Sequence, residues 1–339
     1  MKRWYFWIGL AVSAIFLYLA LRGLQIERIW EQIRQAEIIW FVPGIAVYFI
    51  AVRLRSWRWK HLLSPVKRLQ VSEIFPIISI GYMGNNIYPA RAGEIFRAAL
   101  LKRDYNVPVS ATVATILAER IFDGIVILSF IFINLSNIGK ILGGAENTEG
   151  YQRLACWGAV IFLTIFVIFL AAAMFPGKAK NFLSKLTRAL LPRKWDEKAS
   201  SIIHRFIEGL TSLRSPKDIF LILGTSALIW ILETIVYWFV MLAFPFRVDF
   251  STLVFMNGVV NLAASLPSGP GFIGTFDAPG IAVISAAGVN PNLAASFTLI
   301  LHAVLWAPIT LVGGIFFAKA SIRLSRDVEI AKSDNKPNE

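Results

Sequence analysis

Long apolar stretches, separated by short charged ones, run through most of the sequence and predict a bundle of membrane-spanning helices. A helix needs about 20 apolar residues to cross the roughly 30 Å hydrocarbon layer of a bilayer. We predict about six full transmembrane helices, at residues 4–21, 38–52, 110–135, 154–175, 219–244 and 292–317.

Two further apolar regions are each interrupted before they become long enough to cross. They lie between residues 71 and 101, with a break at 84–86, and between residues 252 and 287, with a break at 267–271. Irregular backbone at membrane depth survives only where it packs in protein or lines water. We therefore predict two re-entrant helical hairpins, and the crossing count makes them enter from opposite faces.

Basic side chains are concentrated in two segments, residues 53–68 and 176–218. Cytoplasmic loops of membrane proteins carry an excess of Lys and Arg, so both segments are predicted to be cytoplasmic. Six crossings then place both termini in the cytoplasm, in the plasma (inner) membrane of the cell. Apolar side chains within residues 176–218 indicate that part of this segment lies on the membrane surface.

The predicted fold class is an all-α polytopic membrane protein in which the order helix, hairpin, helix occurs twice with reversed orientation. Such inverted repeats place a binding site near the bilayer midplane. We predict one membrane domain at 1–320, divided into a first half (about 1–175), the basic cytoplasmic loop (176–218) and a second half (219–320), followed by a cytoplasmic tail at 321–339.

Composition and charge narrow the class of protein further. The chain has 339 residues, of which 56% are hydrophobic and 16% charged, and this excludes a soluble domain. The formal charge of +13 comes from segments that flank apolar stretches, so membrane topology and anionic lipid explain it and no nucleic-acid partner is expected. The single cysteine excludes a disulfide within the chain.

Six ionisable side chains lie in the otherwise apolar region from residue 86 to residue 123. An ionisable group at membrane depth costs roughly 2.5–3.5 kcal/mol unless it is paired or hydrated. This density therefore predicts a polar cavity inside the bundle. The six residues are Arg91, Glu94, Arg97, Glu119, Arg120 and Asp123.

Two interpretations of these residues remain open at this point. Arg91, Glu94 and Arg97 are spaced by three, so they either hold a phosphate or form an internal ion-pair ladder. Glu119 and Asp123 share a helical face, so one of them carries a proton unless nearby arginines neutralise both.

The second break contains Gly269-Pro-Gly-Phe-Ile-Gly274, which matches the G-x-G-x-x-G pattern of dinucleotide-binding sites. No strand precedes it and no βαβ unit surrounds it, so a dinucleotide site is not predicted. The Pro270-Gly271 break supplies bare backbone amides at the start of a half-helix, which favour an anion instead, and Asp277 lies one turn further.

Two more ionisable residues lie within predicted spans. Glu233 requires a partner or a proton, and His302 either titrates near neutral pH or is simply hydrogen-bonded. The three histidines are too scattered for a metal site, and no pattern of a nucleophile, Walker loop or metalloprotease is present. We therefore expect neither an enzyme nor a bound metal or cofactor.

Three motifs in this order resemble the lysylphosphatidylglycerol synthase transmembrane-region family, also called the flippase-like domain family. They are Asn86…Pro89-x-Arg91-x-Gly93-Glu94-x-x-Arg97, Glu119-Arg120-x-x-Asp123, and Pro267-x-x-Pro270-Gly271-x-x-Gly274. The family usually has Glu where Asp277 stands and often Arg near the position of His302. Few residues follow the last span, so the aminoacyl-transferring domain of the synthases is expected to be absent.

The resemblance implies a transporter of flippase type that moves an aminoacylated, glycosylated or polyprenyl lipid with a phosphate headgroup between leaflets. A non-transporting partner of a glycosyltransferase or other lipid-pathway enzyme, docked through residues 176–218, is the alternative. A lipid-modifying enzyme that uses Glu119 and Asp123 has less support. The predicted substrate-binding residues are Asn86, Arg91, Glu94, Arg97, Glu119, Arg120, Asp123, Glu233, Pro270, Gly271, Gly274, Asp277 and His302.

Overall fold

The computed structural model of the chain describes residues 3–89, 91–134, 148–190, 196–266 and 268–334. Within these residues the regular structure is entirely helical, which confirms the predicted all-α class. Pro267, most of the loop predicted at 136–152 and the last five residues of the tail lie outside the described residues.

Thirteen α-helices are found in the described part of the chain. Three-residue 3₁₀ turns lie at Ile38–Trp40, Thr211–Leu213 and Pro270–Phe272. The α-helices are α1 (Arg3–Leu21), α2 (Ile26–Gln35), α3 (Phe41–Leu63), α4 (Val71–Ile87), α5 (Ala92–Tyr105), α6 (Val109–Ile133), α7 (Thr148–Met174), α8 (Pro176–Leu190), α9 (Asp196–Gly209), α10 (Pro216–Leu242), α11 (Phe250–Ala263), α12 (Asp277–Ala286) and α13 (Pro291–Asp334).

Three helical segments of the described chain are long and apolar enough to cross a membrane: Ile38–Leu63, Pro216–Leu242 and Pro291–Ser321. A fourth crossing is formed if Val160–Met174 and Pro176–Lys185, which meet at an angle of 107°, count as one bent span. The chain is thus a multi-pass membrane protein. The full count of six crossings stays a prediction.

The span predicted to end at residue 52 continues as one helix to Leu63. Val52, Ser56 and Trp59 are fully buried, and their spacing of three and four places them on one face of α3. This face packs along α10 and against α4 and α6. Two arginines of this extension, Arg55 and Arg58, have partners inside the bundle.

Helices α4 and α5 form the first helix pair, and the break between them lies between Ile87 and Ala92. The sequence predicts this break at residues 84–86, but α4 runs through them. Gly84 is needed for close contact, since a Cβ there would lie 2.7 Å from the Phe96 ring. We call the interval between Ile87 and Ala92 the first break.

Helices α11 and α12 form the second helix pair and pack against each other. The interval between Ala263 and Asp277, here called the second break, is longer than predicted, because the second half-helix starts at Asp277 and not at residue 272. Gly271 and Phe272 have φ values of 68° and 59°, and the left-handed conformation cannot continue an α-helix. The Ser13 hydroxyl of α1 accepts a hydrogen bond from the Gly269 N–H at 2.8 Å.

Replacement of Gly93 with Ala tests the packing of the first helix pair. The added methyl group would overlap the Gly81 carbonyl oxygen and lie 2.7 Å from Oδ1 of Asn85. We expect the free energy of unfolding to fall by about 1–3 kcal/mol or more, because the added methyl group can be accommodated only if the backbone moves. Gly224→Ala is the matched control, since its Cβ would have no neighbour within 4 Å. Thermal unfolding in detergent, followed by tryptophan fluorescence, should show a lower Tm for Gly93→Ala only; equal Tm values would contradict this packing.

Candidate functional site

A polar cavity lies between the two breaks and is closed on its inner side by α3, α6 and α10. Its volume is about 870 Å³ including the open mouth. Seven of the residues that the sequence predicts for the site line its wall, although they come from five separate parts of the chain. They are Asn86, Arg91, Arg120, Asp123, Glu233, Gly271 and His302.

Arg58 of α3 forms a buried ion pair with Asp123 of α6. The two guanidinium nitrogens lie 2.5 and 3.1 Å from the two carboxylate oxygens, which is a bidentate arrangement. Arg58 also donates to the Ser226 hydroxyl at 2.5 Å and lies 3.7 Å from Glu119. Its side chain is 2% exposed, so these partners replace the water that it loses.

Arg97 points away from the cavity and pairs with Glu119 at 2.6 Å. Its guanidinium lies 3.8 Å from the centre of the Trp59 ring, and such stacking stabilises a buried arginine. Glu119 therefore links α5 to α3 through two arginines, Arg97 and Arg58. Arg97 thus pairs with a carboxylate of α6 and not with Glu94, its neighbour on α5, and it is not among the residues that line the cavity.

Two more ion pairs lie at the wall of the cavity. Arg120 of α6 donates to Glu94 of α5 at 2.9 Å, and both side chains remain about one third exposed. Arg55 of α3 pairs with Glu233 of α10, and both are buried. The four carboxylates of Glu94, Glu119, Asp123 and Glu233 thus each have an arginine partner.

Arg91 differs from the other arginines of the site because no carboxylate lies within ion-pair distance of it among the described residues. It adopts a left-handed backbone conformation, with φ of 53°, at the end of the first break. Its guanidinium donates to the Ala264 carbonyl at 3.1 Å and lies 5.8 Å from the centre of the Phe272 ring. Arg91 therefore joins the two breaks and leaves its positive charge uncompensated.

His302 joins the last long helix to the second break. Its Nε2–H donates to the Gly271 carbonyl at 2.8 Å, because a carbonyl can only accept. Its Nδ1 lies 2.8 Å from Asp277, whose other oxygen accepts the Gly274 N–H at 2.8 Å. A proton must lie between Nδ1 and the carboxylate, so the pair is either imidazolium with carboxylate or neutral on both sides. Both states have no net charge.

The remaining predicted site residues act through the backbone or hold helices together. Asn86 donates to the Thr310 hydroxyl at 2.7 Å, which ties α4 to α13. Pro270 begins the 3₁₀ turn of the second break, and Gly274 supplies the N–H that orients Asp277. No group of three potential metal ligands is found among the described His, Cys, Asp and Glu residues.

The sequence did not assign Arg55 and Arg58 to the site, because a basic and aromatic segment after an apolar stretch predicts a membrane interface. A signal was nonetheless present. Arg55, Arg58 and Trp59 repeat at the three- and four-residue spacing of Val52, so they share its buried face. The acidic residues predicted within helices also required cations that the first break alone could not supply.

The charges around the cavity do not cancel completely. Five arginines and five carboxylates meet here, together with one histidine. Four carboxylates are neutralised by arginines, and Asp277 by the proton that it shares with His302. The excess is one positive charge, and it belongs to Arg91.

Loss of Arg58 should destabilise the whole protein, because Asp123 would keep a buried charge without its main partner. We expect Arg58→Met to cost about 3–5 kcal/mol, as is typical when one member of a buried pair is removed. The matched control is Arg103→Met, which removes an exposed pair with Asp104 and should cost less than about 1 kcal/mol. Chemical denaturation of the two variants in the same detergent measures both effects. Equal midpoints would contradict the structural role of Arg58.

Several archaeal proteins are similar to this chain over most of its length. Glycosyltransferase AglD of Haloferax volcanii is 25% identical over 334 residues, covering 91% of this chain and 53% of that protein. The chain therefore spans about half the length of this relative. A UPF0104 membrane protein of Pyrococcus horikoshii is 24% identical over 335 residues, covering 94% of this chain and 97% of the relative. Another UPF0104 membrane protein, from Methanothermobacter thermautotrophicus, is 24% identical over 290 residues, covering 80% of this chain and 82% of that relative.

The family described as "Lysylphosphatidylglycerol synthase TM region" matches residues 6–313 of the chain. This range contains both breaks and all the residues that line the cavity. The resemblance seen in the three sequence motifs is thereby confirmed. The chain belongs to the family of lysylphosphatidylglycerol synthase transmembrane regions.

Proposed function

We propose that the chain is a lipid transporter of flippase type, without enzymatic activity, that moves a phosphate-bearing lipid between the two leaflets. The observation that carries this proposal is the uncompensated charge of Arg91 in a cavity between two helix breaks. Arg91 is partly buried, and a cation in such a place without a counterion is costly, so this cavity favours an anionic ligand. Guanidinium groups bind phosphate oxygens through two parallel hydrogen bonds, which fits such a ligand.

The apolar surroundings of the cavity support a lipid as the source of the phosphate. Tyr88 of the first break, and Leu266 and Ile273 of the second, are each about half exposed. Ile87 and Leu262, at the adjacent helix ends, are exposed to a similar extent. A headgroup could therefore enter the polar cavity while its acyl chains remain against these side chains and in the bilayer.

The proposal includes the arrangement of the chain in the membrane. The two helix pairs would be re-entrant from opposite faces, so that both breaks meet near the midplane and are reached in turn from each leaflet. The basic segment at 176–218 and both termini would be cytoplasmic, in the plasma (inner) membrane. Residues 1–320 would act as one membrane domain, followed by the tail at 321–339.

A second candidate is a non-transporting membrane partner of a glycosyltransferase or another lipid-pathway enzyme. The name of the Haloferax volcanii relative, a glycosyltransferase, favours this alternative. The partner enzyme would dock on α8 and α9, which lie in the basic segment. Copurification that depends on this segment, together with no lipid exchange by the purified protein, would select this candidate over transport.

Replacement of Arg91 with Gln tests the transport proposal. We expect at least a tenfold slower exchange of fluorescent phosphatidylglycerol in proteoliposomes, because the ligand loses the one arginine of the site that has no carboxylate at ion-pair distance among the described residues. Little stability should be lost, since in the described part of the chain the Arg91 guanidinium forms no ion pair and donates only to the Ala264 carbonyl. The rate is measured by dithionite reduction of the lipid exposed on the outer leaflet.

Two variants control this measurement. Arg91→Lys keeps the charge and should retain part of the exchange, although it loses the bidentate geometry. Arg103→Gln removes an exposed arginine outside the cavity and should leave the rate unchanged. Exchange at the wild-type rate by folded Arg91→Gln would contradict the proposal.

A further inference from the structure

The same cavity selects among lipid headgroups, through the pairing of its carboxylates. An aminoacylated headgroup carries one or more ammonium groups, and an ammonium group buried in a protein is stabilised most strongly by a carboxylate that is free to pair with it. All five carboxylates in or beneath the cavity already have partners. These partners are Arg120 for Glu94, Arg97 for Glu119, Arg58 for Asp123, Arg55 for Glu233 and His302 for Asp277.

Freeing Asp123 or Glu233 for an ammonium group would strand a buried arginine. Arg55 and Arg58 are 6% and 2% exposed, so water cannot replace the lost partner. A headgroup with an ammonium would also add positive charge to a cavity that already has an excess of one. A phosphodiester without an ammonium group, in contrast, cancels that excess.

Uncharged hydrogen-bonding groups line the same cavity as Arg91. Tyr48 and Tyr82 are among them, and their hydroxyls are absent from the hydrogen bonds formed among the described residues. The Asn85 side chain uses its oxygen to accept the Gly93 N–H, which leaves its amide nitrogen as a donor. The Tyr82 and Trp230 rings both lie against the Arg55 guanidinium, 5.8 and 5.6 Å from it, and add aromatic surface to the cavity. Such groups fit the hydroxyls and C–H faces of a polyol.

We infer that the cavity takes a lipid whose phosphodiester carries an uncharged, hydroxyl-bearing headgroup, and that it discriminates against aminoacylated forms of the same lipid. This inference rests on the proposed transport function and names its substrate class. Arg91 would hold the phosphate, and the tyrosines and Asn85 would bind the hydroxyls. Among these pairs, Arg120–Glu94 alone is about one third exposed. It is therefore the pair at which an ammonium group of an incoming headgroup would first meet a carboxylate.

The test compares two fluorescent lipids with identical acyl chains, phosphatidylglycerol and lysyl-phosphatidylglycerol, in proteoliposomes of the full chain. We expect phosphatidylglycerol to exchange at least tenfold faster. Equal rates, or faster exchange of the lysyl form, would overturn the inference and leave the transport function standing. Exchange of neither lipid, by protein that is folded, would overturn the transport function and the inference together.

Arg120→Gln tests the mechanism of selection, because it frees the Glu94 carboxylate at the accessible edge of the cavity. We expect the ratio of lysyl-phosphatidylglycerol to phosphatidylglycerol exchange to rise at least fivefold. The double variant Glu94→Gln/Arg120→Gln removes the freed carboxylate and should return the ratio towards that of the wild type. Arg103→Gln, which frees Asp104 far along the surface of α5, should leave the ratio unchanged. An unchanged ratio in folded Arg120→Gln would overturn the inference.

Discussion

The need to pair every charge buried in an apolar bundle determines much of this structure. Arg58, at 2% exposure, binds Asp123 through both guanidinium nitrogens and also approaches Glu119. These contacts fix α3 against α6, while Arg55 and Glu233 fix α3 against α10. Buried ion pairs contribute little net stability compared with apolar packing, but an unpaired member is strongly destabilising. The pairs therefore act as constraints on helix position, and the cavity keeps its shape because any displacement would separate them.

The two breaks lie against this fixed scaffold, so that the irregular backbone of both reaches the same cavity. The first ends in the left-handed conformation of Arg91, and the second contains the left-handed Gly271 and Phe272. Two side chains hold the second break: Arg91, from the first break, donates to the Ala264 carbonyl, and His302, from α13, donates to the Gly271 carbonyl. Carbonyls exposed by interrupted helices are thereby satisfied, as membrane depth requires. Arg91 is the one arginine of the site without a carboxylate at ion-pair distance within the described parts of the chain, and the proposed function follows from that difference.

The sequence predicted the helical class, the two interruptions and the meeting of distant charged residues, because apolar length and the cost of buried charge are local properties. It placed the first break too early, since Gly84 serves close packing against Phe96 and does not end the helix. It placed the start of α12 too early as well, because a positive φ is rare for a phenylalanine and is not expected at Phe272 from its residue type. The pairing of Arg55 and Arg58 also depended on contacts between helices that no single segment reveals.

The central claim is that Arg91 holds the phosphate of a lipid between the two breaks. An electron cryo-microscopy structure of the protein in phosphatidylglycerol nanodiscs tests it most directly. The account predicts density for a phosphate within about 3 Å of the Arg91 guanidinium, the distance of a charge-assisted hydrogen bond, with acyl chains leaving past the exposed side chains of both breaks. A carboxylate paired with Arg91, and lipid phosphate bound only at the basic surface of α8, would contradict it.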